Sequence, residues 1–354
     1  MRLLRRRSVV AAGAVVALSL GLAACSSGGG GEESSSAGGD SGSSDSGSMS
    51  YDIAFLPKNL GNPYFDASDG AAKTAVEGFG GTFKEVGPTE AAPDAQVSFI
   101  NTLTQQQVGA IVISANDPDA LCDAIGQAQD AGVHVLTFDS DTNCREMYIA
   151  ASNTELIGQK QVDIIAEEIG GSGQIAILSA SANATNQNAW IDVMKAYLAS
   201  DYPDIELVDV VYGDDDDQTS YDKTEALLSQ YPDLKGIISP TTVGIAAAAR
   251  YLSTSEYKGQ VMLTGLGTPN DMRDYVKDGT VQEFALWNPE DLGILASWAA
   301  KALIDGSITG AEGDTFTAEG LSSDVTDFTV GADGIVVLGD PYVFNADNID
   351  NFNF

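Results

Sequence analysis

The stretch Leu136-Thr137-Phe138-Asp139-Ser140-Asp141-Thr142 decides how we interpret the rest of the chain. The apolar run 133–138 predicts a buried strand, preceded by a turn glycine and followed by two acids. In doubly wound α/β sheets, ligands bind just beyond the carboxyl ends of the strands, so Asp139 and Asp141 are expected at the mouth of such a sheet. Because they are two positions apart, they point in different directions. We expect one to enter a site and the other to serve as a turn or cap residue.

Strands and helices alternate on either side of this stretch. The first series predicts strands over 51–57, 82–86, 110–114 and 133–138, with helices over 65–79 and 94–106 and a third helix opened by Asp117-Pro118. The rhythm restarts at Gln174, with strands over 175–179, 205–211, 236–239 and 261–265 and helices over 187–198, 220–230 and 245–252. This alternation is typical of parallel sheets with helices on both faces. Two series in succession predict two doubly wound parallel-sheet lobes with a cleft between them.

The length and the net charge of the chain limit the number of domains and the classes of partner. A chain of 354 residues is long enough for two ordinary domains. Its 51 acidic residues against 17 Lys+Arg give a net charge of −34. That acidity argues against nucleic acid, and against an anionic membrane surface, as partners.

The amino terminus predicts the compartment. Four arginines within residues 2–7 precede an apolar run over 8–20 that is too short to span a bilayer comfortably. Leu22-Ala23-Ala24-Cys25 then resembles the lipobox of bacterial lipoproteins, which implies that 1–24 is a signal peptide and that Cys25 is lipidated. The alternative is an ordinary signal peptide with a chance cysteine. Ser/Gly-rich residues 25–50 predict a disordered tether, so the body is expected on the outer face of the cell membrane, held by its lipid anchor only.

The body contains two cysteines, Cys122 and Cys144. Cys122 is expected at the start of the helix before strand 133–138, and Cys144 lies just after that strand. A helix and the strand that follows it run antiparallel, so these two ends can meet. In an oxidising compartment this arrangement predicts a disulfide that pins the loop carrying Asp139.

The sequence shows no catalytic constellation. The single histidine, His134, falls within an apolar strand, and there is neither a Ser/His/Asp set in motif context nor a phosphate-binding glycine loop. The run 214–217 of four aspartates lacks the spacing of a calcium loop, so a solvated loop is favoured, with one Asp near the cleft left open. We therefore predict no metal, no cofactor and no enzyme. A glycosidase using Asp139 and Asp141 is disfavoured because the two side chains diverge.

Several motifs now point to a family. Asn62-Pro63-Tyr64-Phe65 after the first strand, the strand end at Asp139 and the segment Leu266-Gly267-Thr268-Pro269 together resemble the periplasmic sugar-binding proteins of the ribose-binding type. The resemblance covers about residues 50–354 and implies the type I periplasmic-binding-protein fold. It narrows to the subgroup of rhamnose-binding and autoinducer-2-binding proteins of ABC importers. The segments that narrow it are 87–90, 114–119, 138–142, 285–288 and 334–338.

The resemblance also implies a ligand site. Autoinducer-2-binding proteins use a Lys after the first strand and an Asp after the fourth, matched here by Lys58 and Asp139. Their Asp-Gln pair at a helix start is Asn186-Gln187 here, and their Pro-x-Ala stretch is Pro240-Thr241-Thr242. The sequence departs from the pattern at 186 and 242. The remaining residues of the implied site are Asn62, Phe65 and Trp287, with Tyr64 and Trp190 as further aromatic candidates.

The chemistry of these residues suits a neutral polyol. A carboxylate accepts hydroxyl hydrogens, a lysine donates and balances its charge, and the two amides offer both functions. Aromatic faces can cover the apolar side of a pyranose. We expect L-rhamnose or a close deoxy-hexose rather than autoinducer-2 as the ligand. The role is either delivery to the permease subunits of an ABC importer or signal uptake and sensing.

The resemblance also sets the expected lobe boundaries. The first lobe comprises 51–152 and about 289–330, and the second comprises 153–288 and about 331–354. A multi-strand hinge is expected to cross between them near 151–154, near 287–289 and within 325–335, and the protein is expected to be a monomer.

Overall fold

The computed structural model describes residues 51–354. The predicted signal peptide, the lipidation site at Cys25 and the tether therefore lie outside the described residues. Within 51–354, two parallel sheets account for the two predicted lobes, and the chain is an α/β protein of the predicted type.

The first sheet has six strands, all paired in parallel, in the order β13-β5-β4-β3-β1-β2. The strands are β1 (Asp52–Leu56), β2 (Thr82–Glu85), β3 (Ala110–Ile113), β4 (His134–Phe138), β5 (Met147–Ala150) and β13 (Ile335–Val337). The helices of this lobe are α1 (Pro63–Gly78), α2 (Pro93–Gln105), α3 (Cys122–Asp130) and α9 (Pro289–Ile304). A further two-stranded sheet joins β11 (Thr315–Thr317) and β12 (Asp327–Thr329).

Alternation along the strands explains why helices cover both faces of this sheet. In β1, Ile53 and Phe55 belong to one hydrophobic cluster, and Ala54 and Leu56 belong to another. Successive strand side chains point to opposite faces, so a strand that is apolar throughout must be covered on both. Helices α1 and α9 pack together over one face, and α2 and α3 pack together over the other.

The second sheet has four parallel strands in the order β7-β6-β8-β9. Its strands are β6 (Gly173–Ser179), β7 (Ile205–Tyr212), β8 (Leu234–Ser239) and β9 (Met262–Gly265). Its helices are α4 (Thr154–Glu168), α5 (Thr185–Asp201), α6 (Asp217–Gln230), α7 (Thr242–Thr254) and α8 (Pro269–Lys277). Beside it, β10 (Phe284–Leu286) pairs antiparallel with β14 (Tyr342–Phe344).

The chain passes between the two sheets at three places. It leaves β5 for α4 at 151–153 and leaves β10 for α9 at 287–288, as the sequence predicted. The third crossing lies at 338–341, so the predicted crossing within 325–335 is wrong. Strand β13 pairs with β5 in the first sheet, and only β14 belongs with β10. Residues 331–337 therefore belong to the first lobe.

The first lobe is built from separate parts of the chain, and close packing of two helices, α1 and α9, holds these parts together. Helix α9 follows the second crossing, yet it packs against α1 near the start of the described chain. At Gly293 of α9, a Cβ atom would lie 2.0 Å from the carbonyl oxygen of Ser68 in α1. Only glycine permits this approach, because any side chain would push the two helices apart.

The loop after β4 is fixed by a disulfide and an ion pair. Cys122 at the start of α3 is bonded to Cys144, with 5.4 Å between their Cα atoms. The carboxylate of Asp141 receives two hydrogen bonds from the guanidinium of Arg145, each 3.0 Å long. Helix α3 begins at Cys122 rather than at the predicted Asp117-Pro118. The carboxylate of Asp117 instead closes a turn by accepting from the N–H groups of Asp119 and Ala120.

Candidate functional site

A small cavity of about 40 Å³ lies between the two lobes, at the carboxyl ends of the strands of both sheets. In each sheet the strand order reverses next to the first strand, and ligands of such folds bind at this switch point. The cavity is smaller than the sites of about 300–1,000 Å³ that hold drug-sized ligands. Its walls are formed by Lys58, Asn62, Tyr64, Phe65, Asp139, Asn186, Gln187, Trp190, Asp215, Pro240, Thr241, Thr242, Leu266, Leu286 and Trp287.

The first lobe contributes an ammonium group and a carboxylate. Lys58 follows β1 and Asp139 follows β4, and both side chains are buried. The Lys58 Nζ lies 3.8 Å from the Asp139 Oδ2, which also accepts a hydrogen bond of 2.7 Å from the Ser114 hydroxyl. Asp139 has a left-handed backbone (φ +59°), and its carbonyl accepts from the hydroxyl of Tyr148. This conformation, uncommon outside glycine, asparagine and aspartate, turns the carboxylate into the cavity.

The second lobe contributes amides from the first turn of α5. The Oδ1 of Asn186 accepts from the Lys58 Nζ at 3.0 Å, a hydrogen bond that joins the two lobes across the cavity. The Oε1 of Gln187 accepts from the Ser179 hydroxyl and the Ala180 N–H. Since that oxygen is occupied, the Gln187 amide nitrogen is the group left for a ligand.

Aromatic rings form the apolar part of the wall. The Trp287 Nε1 donates to the Tyr64 hydroxyl at 2.8 Å, and the Trp287 ring stands edge-to-face with Tyr64 and Trp190. Phe65 packs edge-to-face on Tyr64 and on Phe138. Burial, together with the charge of Asp139, raises the pKa of Tyr64 well above its usual value, so this hydroxyl stays neutral.

All nine residues that were expected at the site line this one cavity. They are Lys58, Asn62, Phe65, Asp139, Asn186, Gln187, Pro240, Thr242 and Trp287. Asn62 also caps α1, because its side-chain oxygen accepts a hydrogen bond of 3.1 Å from the N–H of Tyr64. His134 lies away from the cavity, at the start of β4, where its Nδ1 is 2.9 Å from a carboxylate oxygen of Glu146.

Asp215 and Thr241 also line the cavity. The sequence leaves open whether one Asp of the run 214–217 lies near the cleft, and it gives Thr241 no role of its own within the Pro240-Thr241-Thr242 stretch. The Asp215 carboxylate accepts from the Thr241 hydroxyl at 2.5 Å, at the edge of the second sheet. A run of four aspartates is usually solvated, and composition gives no sign that one of them turns inward. The tolerance of aspartate for left-handed backbone is the single hint that the sequence offers.

The described residues carry no arrangement of three or more His, Cys, Asp or Glu side chains that could hold a metal ion. Within 51–354, no helix is both long enough and apolar enough to cross a bilayer.

Comparison with known proteins identifies the family. The model of the periplasmic binding protein domain matches residues 53–308, which is more than half of the chain. The chain belongs to the periplasmic binding protein family. This periplasmic binding protein is similar to a sugar ABC transporter protein of Actinomyces odontolyticus, with 50% identity over 86% of this chain and 100% of that one and a TM-score of 0.68.

Two further solved structures were determined with ligands. A solute-binding protein of Clostridium phytofermentas with bound L-rhamnose is 40% identical over 86% of this chain and 98% of its own, with a TM-score of 0.83. The LsrB protein of Clostridium saccharobutylicum in complex with AI-2 is 25% identical over 85% of this chain and 99% of its own, with a TM-score of 0.80. These relatives are substrate-binding proteins of sugar importers and not enzymes.

Proposed function

We propose that this periplasmic binding protein binds a small neutral sugar, L-rhamnose in the first place, between its lobes and delivers it to the permease subunits of an ABC importer. It acts as a monomer outside the cytoplasm, anchored to the membrane by a lipid on Cys25. Autoinducer-2 (AI-2) uptake or sensing is the second candidate, because the site also resembles that of autoinducer-2-binding proteins.

The environment of Asn186 carries the proposal. The Lys58 ammonium lies between the Asp139 carboxylate at 3.8 Å and the Asn186 carbonyl oxygen at 3.0 Å. The uncharged amide at 186 adds no charge next to this pair: its oxygen accepts from Lys58 and from the Gln187 N–H, and its nitrogen lies 3.4 Å from the Asp139 Oδ1. A ring hydroxyl can replace either partner, because an amide both donates and accepts. The relatives agree with this ordering, since the rhamnose-bound protein is 40% identical and the AI-2-bound protein 25% identical.

The ligand is tested by calorimetry with L-rhamnose and with AI-2. The wild-type protein is expected to bind rhamnose. The double variant Asn186→Asp/Thr242→Ala restores both residues of the autoinducer-2 pattern, so it should bind AI-2 better and rhamnose about tenfold to a hundredfold less tightly. That change corresponds to about 1.5–3 kcal/mol for one charge-assisted hydrogen bond.

Asn183→Asp is the matched control for this experiment. Asn183 is exposed just before α5 and does not line the cavity. The Asn183→Asp variant therefore adds the same negative charge near the site without entering it. Its affinities should match those of the wild type. If the unmodified protein binds AI-2 with sub-micromolar Kd and ignores rhamnose, the ordering of the two ligands is wrong.

The lipid anchor is tested by fractionation of cells that express Cys25→Ser. Without the lipidated cysteine the protein should appear in the culture medium, because the lipid on Cys25 is the proposed anchor. Ser26→Ala should stay with the membrane fraction. Retention of Cys25→Ser in that fraction would contradict the anchor.

A further inference from the structure

The four consecutive aspartates 214–217 lie in four different environments. Asp216 caps α6 by accepting from the N–H of Thr219 at 2.7 Å, and Asp217 forms an ion pair with Arg250 at 2.6 Å. Asp214 is exposed, whereas Asp215 is partly buried and lines the cavity. Three of the four acids therefore have a structural or solvent-facing position, and Asp215 alone faces the ligand space.

Backbone geometry directs the Asp215 side chain inward. Asp214 and Asp215 are both left-handed, with φ of +56° and +51°. The turn is attached to the end of β6, because the N–H of Asp214 donates to the carbonyl of Ala180 at 2.7 Å. The Thr241 hydroxyl then holds the Oδ1 of Asp215, which leaves its Oδ2 for a ligand.

The charges around the cavity do not balance. Three ionisable acid or base side chains line it besides Tyr64, namely Lys58, Asp139 and Asp215. Asp139 comes from the first sheet and Asp215 from the loop after β7 in the second, so each lobe presents one carboxylate. Burial raises the pKa of Asp215, and the Lys58 ammonium opposes that rise.

We propose that Asp215 is a ligand-contacting residue that accepts a sugar hydroxyl from the second lobe and, with Asp139, excludes anionic sugars from the cavity. This inference rests on the proposed function and deepens it. The acid that the autoinducer-2 pattern places at 186 is supplied here from 215, on a different loop. A ligand must therefore offer hydroxyl donors towards both lobes, and a sugar acid would meet two carboxylates and one ammonium.

Calorimetry with a neutral sugar and a sugar acid tests this role. Asp215→Asn keeps the shape and the tolerance for a left-handed backbone while it removes the charge. We expect it to bind L-rhamnose about tenfold less tightly than the wild type. We also expect the preference for L-rhamnose over D-galacturonate to shrink by about tenfold or more. A merely structural effect would weaken the binding of both sugars equally.

Asp214→Asn is the matched control, because it makes the same change at the adjacent left-handed position without reaching the cavity. It should leave both affinities within about twofold of the wild type. The proposal is overturned if Asp215→Asn binds rhamnose like the wild type, or if its preference between the two sugars is unchanged.

Failure of the proposed function gives a different result. If the wild-type protein ignores rhamnose but binds another neutral monosaccharide of a panel, the ligand named above is wrong. The same two variants measured with that sugar then decide the role of Asp215. Binding confined to D-galacturonate, or no binding to any sugar of the panel, overturns both proposals.

Discussion

Asp139→Asn is expected to lower the affinity for the sugar about a hundredfold or more while the protein still folds. The carboxylate lies 3.8 Å from the buried Lys58 ammonium and accepts from the Ser114 hydroxyl at 2.7 Å. An amide cannot balance the lysine, and it loses charge-assisted hydrogen bonds to ligand hydroxyls. Each such bond contributes about 1.5–3 kcal/mol, so the loss of two accounts for a factor of this size. Asparagine tolerates the left-handed backbone at this position, so the loop should persist.

Asp141→Asn separates a loss of ligand contact from a loss of structure. Asp141 leaves the same strand end two positions later, but its carboxylate pairs with Arg145 outside the cavity. This variant should unfold at a lower temperature and bind with nearly unchanged affinity. Calorimetry and thermal unfolding of both variants are the measurements. Equal losses of affinity in the two variants, or rhamnose binding by Asp139→Asn within threefold of wild type, would argue against direct contact.

Removal of the disulfide is expected to cost about 3 kcal/mol of the free energy of unfolding. The bond between Cys122 and Cys144 closes a loop with a sequence separation of 22 residues, and the chain-entropy model gives about this value for such a loop. Cys122→Ser/Cys144→Ser should therefore unfold roughly 5–10 °C below the wild type. Affinity should fall less than stability, since Asp139 keeps its contact with Ser114.

Thermal unfolding with and without reductant measures this effect. Cys25→Ser is the control, because it removes a cysteine that is not part of this disulfide and should leave the midpoint unchanged. Reduced wild-type protein should behave like the double variant. Two free thiols titrated in unreduced native protein would show that the bond does not form.

The alternating pattern predicted most of the fold because it reports local physics. Strands such as β1, β4 and β6 are apolar runs of five to seven residues bounded by turn residues, and the structure confirms them. The pairing of β13, in contrast, cannot be predicted from local sequence. Its three residues have no readable period, and its partner β5 is remote in sequence. Nothing local indicates to which sheet such a strand belongs, so the third crossing was placed several residues too early.

The site residues likewise fall into those that the local sequence predicts and those that it does not. Asp139 directly follows a strand, and the alternating pattern alone predicts its place at the cavity, whereas Lys58 is predicted only by the resemblance to autoinducer-2-binding proteins. Asp215 could not be placed, because its direction depends on two successive left-handed residues and on a hydroxyl from a different loop. For Asp141 the local sequence was sufficient. The prediction that one of the two nearby acids turns away from the site is confirmed by the pairing of Asp141 with Arg145.

The pairing of β5 with β13 also sets the order in which the molecule can be completed during synthesis. Ile149 and Val336 are neighbours in the sheet although about half of the chain separates them. A chain that emerges from the ribosome amino terminus first lacks both α9 and the edge strand of its first lobe until nearly all of it is available. The four strands of the second sheet are contiguous in sequence and can assemble earlier. The half that begins first is thus finished last, and a polypeptide cut short before β13 lacks the edge strand of its first sheet.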